Sequence, residues 1–139
     1  MSTMAAGSTL TQPSAAAEFA AATGVDALAV SVGNAHGIYH ELPQLDFERL
    51  AQLRDAVPVP LVLHGGSGTP EPDLRRAIAL GIAKVNVASE LVKAMRESLM
   101  AQGNAGENLW IPIAQAKAME PFTTVVRRWF GLTDAVGKS

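Results

Sequence analysis

The 139-residue sequence has no cysteine, which excludes disulfides and thiolate metal ligands. Any transition-metal site must use His, Asp or Glu, and only three histidines are available. The absence of cysteine also fits a reducing compartment, and a cytoplasmic location is expected. Charge is scarce: 17% of residues are charged and the formal net charge is -2, so there is no electrostatic case for nucleic acid or an anionic membrane surface. No apolar run is long enough to cross a bilayer. Met1 to Leu10 has no basic residue and no long apolar stretch, so it reads as neither a signal peptide nor an anchor. These ten small and polar residues are expected to be disordered, leaving residues 11–139 as the folded part. With 48% hydrophobic residues, that part suits one globular domain with a sizeable core.

What is present is an alternation of elements. Ser14 to Thr23 is Ala-rich and helix-forming, with Gly24 as its C-terminal cap. Asp26 to Val32 reads as a buried strand and Gly33 to Gly37 as a loop. Asp46 caps a helix from Phe47 to Ala56, and Leu61 to Leu63 is a second strand entering His64-Gly65-Gly66-Ser67-Gly68. A helix starts at Thr69-Pro70, with Leu74, Ala77 and Ile78 as its apolar stripe, and ends at Gly81. Lys84 to Ala88 reads as the third strand, Ser89 as the cap of a helix from Glu90 to Met100, and Gln102 to Glu107 as a turn. A last helix is expected from about Ile113 to Phe130, with Pro121 as a point of interruption. Apolar strands alternating with helices predict an α/β fold with a parallel sheet.

The polar residues gather just after each strand: Asn34 and His36, then His64 and Ser67, then Asn86 and Ser89. In parallel α/β folds that edge is where ligands bind. The glycines of the 64–68 loop let a ligand approach the backbone, and the loop feeds a helix N-terminus that favours an anion. The loop and the Asn86–Ser89 segment together are expected to grip one phosphate; the competing reading is that the glycines only make tight turns. His36 and His64 stand at equivalent strand ends, where neutral imidazole is a good ligand for zinc, iron or cobalt. A hydrogen-bonding role is the alternative for each. His40, between Gly37 and Pro43, reads as a surface residue.

These motifs resemble a known family. Gly24-Val25-Asp26-Ala27-Leu28-Ala29-Val30, followed by Gly33, Ala35-His36-Gly37 and Tyr39, is similar to the sixth-strand segment of class II fructose- and tagatose-bisphosphate aldolases. Pro43 with Leu45-Asp46-Phe47 resembles the next helix start. Leu61 to Gly68 resembles the seventh strand with its loop, and Gly81 to Ala88 the eighth. The similarity is continuous from about Thr11 to Glu97, then weaker, returning at Lys117-Ala118-Met119 and Gly137-Lys138. The resemblance implies part of a TIM (β/α)8 barrel, its last three strands with their helices. It implies reversible aldol cleavage of a ketose bisphosphate to dihydroxyacetone phosphate and an aldehyde, through an enediolate stabilised by zinc. By the same resemblance His36 and His64 are two of three metal-ligating histidines. Gly37, Gly65, Gly66, Ser67, Asn86, Val87, Ala88 and Ser89 bind the phosphorylated substrate, and Asn86 is the catalytic contact near the reacting carbons. Some family members also bind a monovalent cation near these glycine carbonyls. Asn34 stands where the family often has Thr, and Ser89-Glu90 where it commonly has Thr-Asp.

The resemblance leaves out the segment that carries the third histidine and the proton-transferring Asp, and also the mobile glutamate loop. A whole barrel takes about 250 residues, so this chain has room for three of eight strands; because the ending resembles the family's, the missing part is expected before residue 1. The expected partners are a phosphorylated sugar and either a second copy or a chain supplying the missing half; two copies would give six strands. An incomplete aldolase component is the first reading, and a non-catalytic phosphosugar- or metal-binding remnant is the alternative. Fructose and tagatose bisphosphate stay open as substrates.

Overall fold

The computed structural model describes residues 10–34, 44–105 and 110–137. The chain divides into two compact units, Met1–Asn86 and Val87–Ser139.

In the first unit, α1 (Pro13–Thr23) opens with Pro13 in its first turn. It closes at Gly24, whose left-handed backbone (φ 65) lets its N–H donate to the Ala20 carbonyl. Ala16 and Ala20, one turn apart, are its buried positions. The first strand, β1 (Leu28–Val30), is shorter than the apolar run 26–32 suggested. Helix α2 (Phe47–Ala56) has the expected bounds because Asp46 caps it: its carboxylate accepts from the Arg49 N–H at 2.8 Å. Strand β2 (Leu61–Leu63) is buried throughout. Helix α3 (Glu71–Ala79) starts after Pro70 and buries Leu74 and Ala77.

Strand β3 (Ile82–Val85) corrects the expected span of 84–88. Val87 and Ala88 continue the apolar run, but the ladder with β2 ends where the Asn86 N–H donates to the Leu63 carbonyl. Beyond it the backbone turns at Ala88 (φ -139, ψ -54) into the next helix.

The strands form a parallel sheet in the order β1-β2-β3. Leu28, Leu61 and Ile82 align across it, as do Val30, Leu63 and Val85; an irregularity between Leu61 and Val62 leaves Ala83 of β3 without a Cα partner. On this face Val30, Leu61, Leu63 and Ile82 are buried, together with Leu50, Leu53, Leu74 and Ala77 of the helices. Helix α1 packs on α2 and β1, and α3 packs on β3. Ala29, Val62 and Lys84 align on the other face, where Ala29 and Lys84 are exposed.

The second unit is a helix pair. Helix α4 (Ser89–Asn104) begins at Ser89 itself, with Ala88 at the cap position and no side-chain cap hydrogen bond. Ser89 is thus the first helical residue, not the cap expected of it. The helix runs past Met100 to Asn104, through the first half of the expected turn, and residues 106–109 lie outside the described residues. Helix α5 (Ile111–Leu132) starts two residues earlier than expected because Pro112 fits its first turn, and it continues through Pro121. Ala114, Ala118 and Trp129 form its buried stripe, consistent with its packing against α4. Packing of that stripe outweighs the cost of a mid-helix proline.

Among the described residues no helix is long and apolar enough to cross a membrane.

Candidate active site

All three strands of a parallel sheet end at one edge, and the polar residues of the first unit meet there. The chain leaves β1 through Gly33, whose φ of 93 suits glycine alone among common residues. A Cβ at that position would overlap the Gln44 carbonyl oxygen. The chain entering α2 is pinned close by, where the Asp46 N–H donates to the Val32 carbonyl at 2.8 Å. His36, Gly37 and His40 fall between these pins, outside the described residues.

Asn34 is buried beside this turn. Its Oδ1 accepts from the Val32 N–H at 2.9 Å, and its Nδ2 donates to the His64 carbonyl at 2.8 Å. One side chain therefore ties the end of β1 to the end of β2. Sequence reading found Asn34 only as a hydrogen-bonding residue at the ligand edge. The Gly-Asn pair signals a turn, but nothing in it points to a partner thirty residues away.

From His64 the chain turns through Gly65 (φ 64) into the glycine-rich loop. The Gly66 N–H donates to the Asn86 carbonyl at 2.9 Å, and the Thr69 N–H to the Gly66 carbonyl at 3.1 Å. The Gly66 N–H is thus engaged within the fold and is not free for a ligand. Ser67 is buried. Thr69 Oγ1 is buried with no hydrogen-bond partner among the described residues, the kind of group that a bound ligand or water satisfies.

Asn86 follows β3 and meets His64. Its Nδ2 lies 3.0 Å from His64 Nδ1 and 3.4 Å from Nε2. The two predicted site residues, twenty-two positions apart, are in hydrogen-bond contact because β2 and β3 are adjacent and in parallel register. Val87, Ala88 and Ser89 belong to the second unit, at the N-terminus of α4. In that unit Glu90, from the first turn of α4, accepts from Trp129 Nε1 at 2.9 Å and pairs with Arg128.

Zinc sites of the catalytic kind use three protein ligands. Among the described residues no three His, Asp or Glu side chains come together in a metal-holding group. His64 alone, already in contact with Asn86, does not make such a site.

The chain matches the family model described as fructose-bisphosphate aldolase class-II over residues 2–138. It is 39% identical to the YdjI aldolase from Escherichia coli, with a TM-score of 0.83, over 93% of this chain and 47% of that one. A Coccidioides immitis protein described as a fructose-1,6-biphosphate aldolase matches with 31% identity and a TM-score of 0.83, over 93% of this chain and 45% of its own. The fructose-bisphosphate aldolase of Campylobacter jejuni, at 20% identity, shares the fold with a TM-score of 0.76, over 94% of this chain and 46% of its own. The chain thus spans about half the length of these solved relatives, and its sheet and helices are part of their TIM-barrel fold. By sequence and by fold, the chain belongs to the class II fructose-bisphosphate aldolase family.

Proposed function

We propose that this chain forms the phosphate-binding edge of a ketose-bisphosphate aldolase, an enzyme that reversibly cleaves its substrate to dihydroxyacetone phosphate and an aldehyde. The observation that carries the proposal is the contact of 3.0 Å between Asn86 and His64 at the ends of adjacent parallel strands, at the edge where such folds do chemistry. In this reading the Asn86 amide leaves the ring to hydrogen-bond the substrate near its reacting carbons. Gly65, Ser67 and Gly37 are the proposed phosphate-binding residues of the first unit, with Gly66, whose N–H is engaged, giving close backbone approach; Val87, Ala88 and Ser89 are those of the second. A phosphate seated on this loop offers a partner for the buried Thr69 hydroxyl. The helix that Ser89 opens favours an anion at its first turn.

His64 and His36 are the proposed metal ligands of this chain, with a third ligand needed from elsewhere. Zinc, when bound, would supply Lewis-acid polarisation of the substrate carbonyl. The described donors do not complete its shell, and no step is routed through it.

Titration calorimetry with dihydroxyacetone phosphate tests the binding role. Ser67→Ala is expected to weaken binding about tenfold, the scale of a lost hydrogen bond to a charged group. No binding by the unaltered chain would overturn the proposal. Incubated with zinc and either fructose or tagatose bisphosphate, the chain alone is expected to turn over far below the usual enzyme range of about 1–1000 per second; turnover inside that range would show that these residues suffice. The second reading is a non-catalytic phosphosugar- or metal-binding remnant of an aldolase. Binding that persists without turnover after the remainder of a relative's barrel is added would select it.

A further inference from the structure

We propose that Lys84 marks the surface through which this chain is completed, and that the polypeptide seated there, carrying the remaining strands of an aldolase barrel, aims a carboxylate at it. The inference rests on the aldolase reading above and adds the chemistry of the partner.

Side chains alternate across a strand with a period of two, but β3 has a register irregularity that leaves Ala83 without a Cα partner, so Ile82 aligns with Leu61 while Lys84 aligns with Val62. Lys84 precedes Asn86 by two residues, and Val62 precedes His64 by two. Val62 and Lys84 are aligned, with Ala29 on the far side of Val62. Lys84 therefore lies one layer beneath the His64–Asn86 contact, on Val62's face of the sheet and opposite the face of Leu61 and Leu63. It is exposed and has no ion pair or hydrogen bond among the described residues. On the outer sides of β1 and β3 no further strand is paired among the described residues.

The relatives that share this fold are about twice as long. In a closed barrel the face carrying Lys84 is a packed interior. An ammonium enclosed there without a counter-charge is not tolerated, and a lysine is almost never fully buried unpaired. The strands that close the sheet must therefore bring an Asp or Glu to its layer. A second copy of this chain fits poorly. An isologous pairing through this face brings two Lys84 ammonium groups to one interface with no carboxylate between them, and six strands do not make eight.

The probe for the test is the part of the Escherichia coli YdjI aldolase outside the stretch this chain matches, produced as a separate chain. The unaltered protein is expected to form a one-to-one complex with it. Lys84→Glu is expected to weaken that complex at least about 100-fold, as charge reversal against a buried partner does, and Lys84→Met to weaken it less. Circular dichroism of each variant alone checks its fold. Carbodiimide coupling supplies an independent readout: mass spectrometry should find Lys84 joined to an Asp or Glu of the probe. Equal binding by the unaltered and Lys84→Glu chains, or coupling of Lys84 to a carboxylate of its own chain, would overturn the role of Lys84 and leave the aldolase reading standing. Failure of the unaltered chain to bind the probe, with a stable homodimer instead, would overturn the proposed occupant. Loss of dihydroxyacetone phosphate binding would remove the aldolase reading beneath it.

Discussion

Asn34 and Asn86 hold the same histidine in two ways, one through its carbonyl and the other at its ring. Asn34 is buried and satisfies two backbone groups at once. Asn34→Ala would leave the Val32 N–H and the His64 carbonyl without that partner, and should cost about 2 kcal/mol, read from the urea midpoint. The Asn86 contact makes a different prediction. Its amide nitrogen lies 3.0 Å from Nδ1 and 3.4 Å from Nε2, toward the ring as a whole. Asn86→Ala should therefore shift the imidazole nitrogen-15 resonances of His64. Unchanged resonances would mean that the two side chains do not meet in solution. Sequence alone identified His64 and Asn86 as site residues, because strand ends in α/β folds carry polar chemistry. It did not show that they touch, because contact depends on the register of two strands twenty-two residues apart.

Element boundaries were legible where a local device sets them. Asp46 capping α2 and Gly24 closing α1 each act within one turn of chain, and both ends fell where they were expected. The boundaries that moved are decided by distant packing. Strand β3 starts at Ile82 because Ile82 pairs with Leu61, a partner that β3's own residues do not reveal. Helix α5 passes through Pro121 because its stripe of Ala114, Ala118 and Trp129 is buried, which no propensity scale contains. The helix pair is also tied by Glu90, which bonds the Trp129 indole and pairs with Arg128. Trp129→Phe keeps the buried ring but removes a hydrogen bond to a charged group, and should lower stability by about 2 kcal/mol. Arg128→Ala, at a side chain more than half exposed, should cost less than about 1 kcal/mol. Thermal or urea unfolding of the two variants side by side checks the order.

Among the described residues, one unit is a three-stranded parallel sheet with its helices and the other a helix pair. β2 is bonded on both sides and buried, whereas β1 and β3 are edges. Hydrogen exchange should therefore be slowest at the amides of Leu61 to Leu63 and faster along the outer sides of β1 and β3. Uniform protection across all three strands would mean that the edges are already covered in solution.

By itself, the sequence determined the order of elements, the parallel α/β class, the family, and the placing of chemistry at the strand ends. These follow from local periodicity, caps and motifs, each written in neighbouring residues. Tertiary structure alone decided that Asn34 braces His64, that Asn86 reaches its ring, and that Lys84 shares their face of the sheet. Those facts arise from pairing between strands distant in sequence, and a register is a relation between segments that neither carries alone.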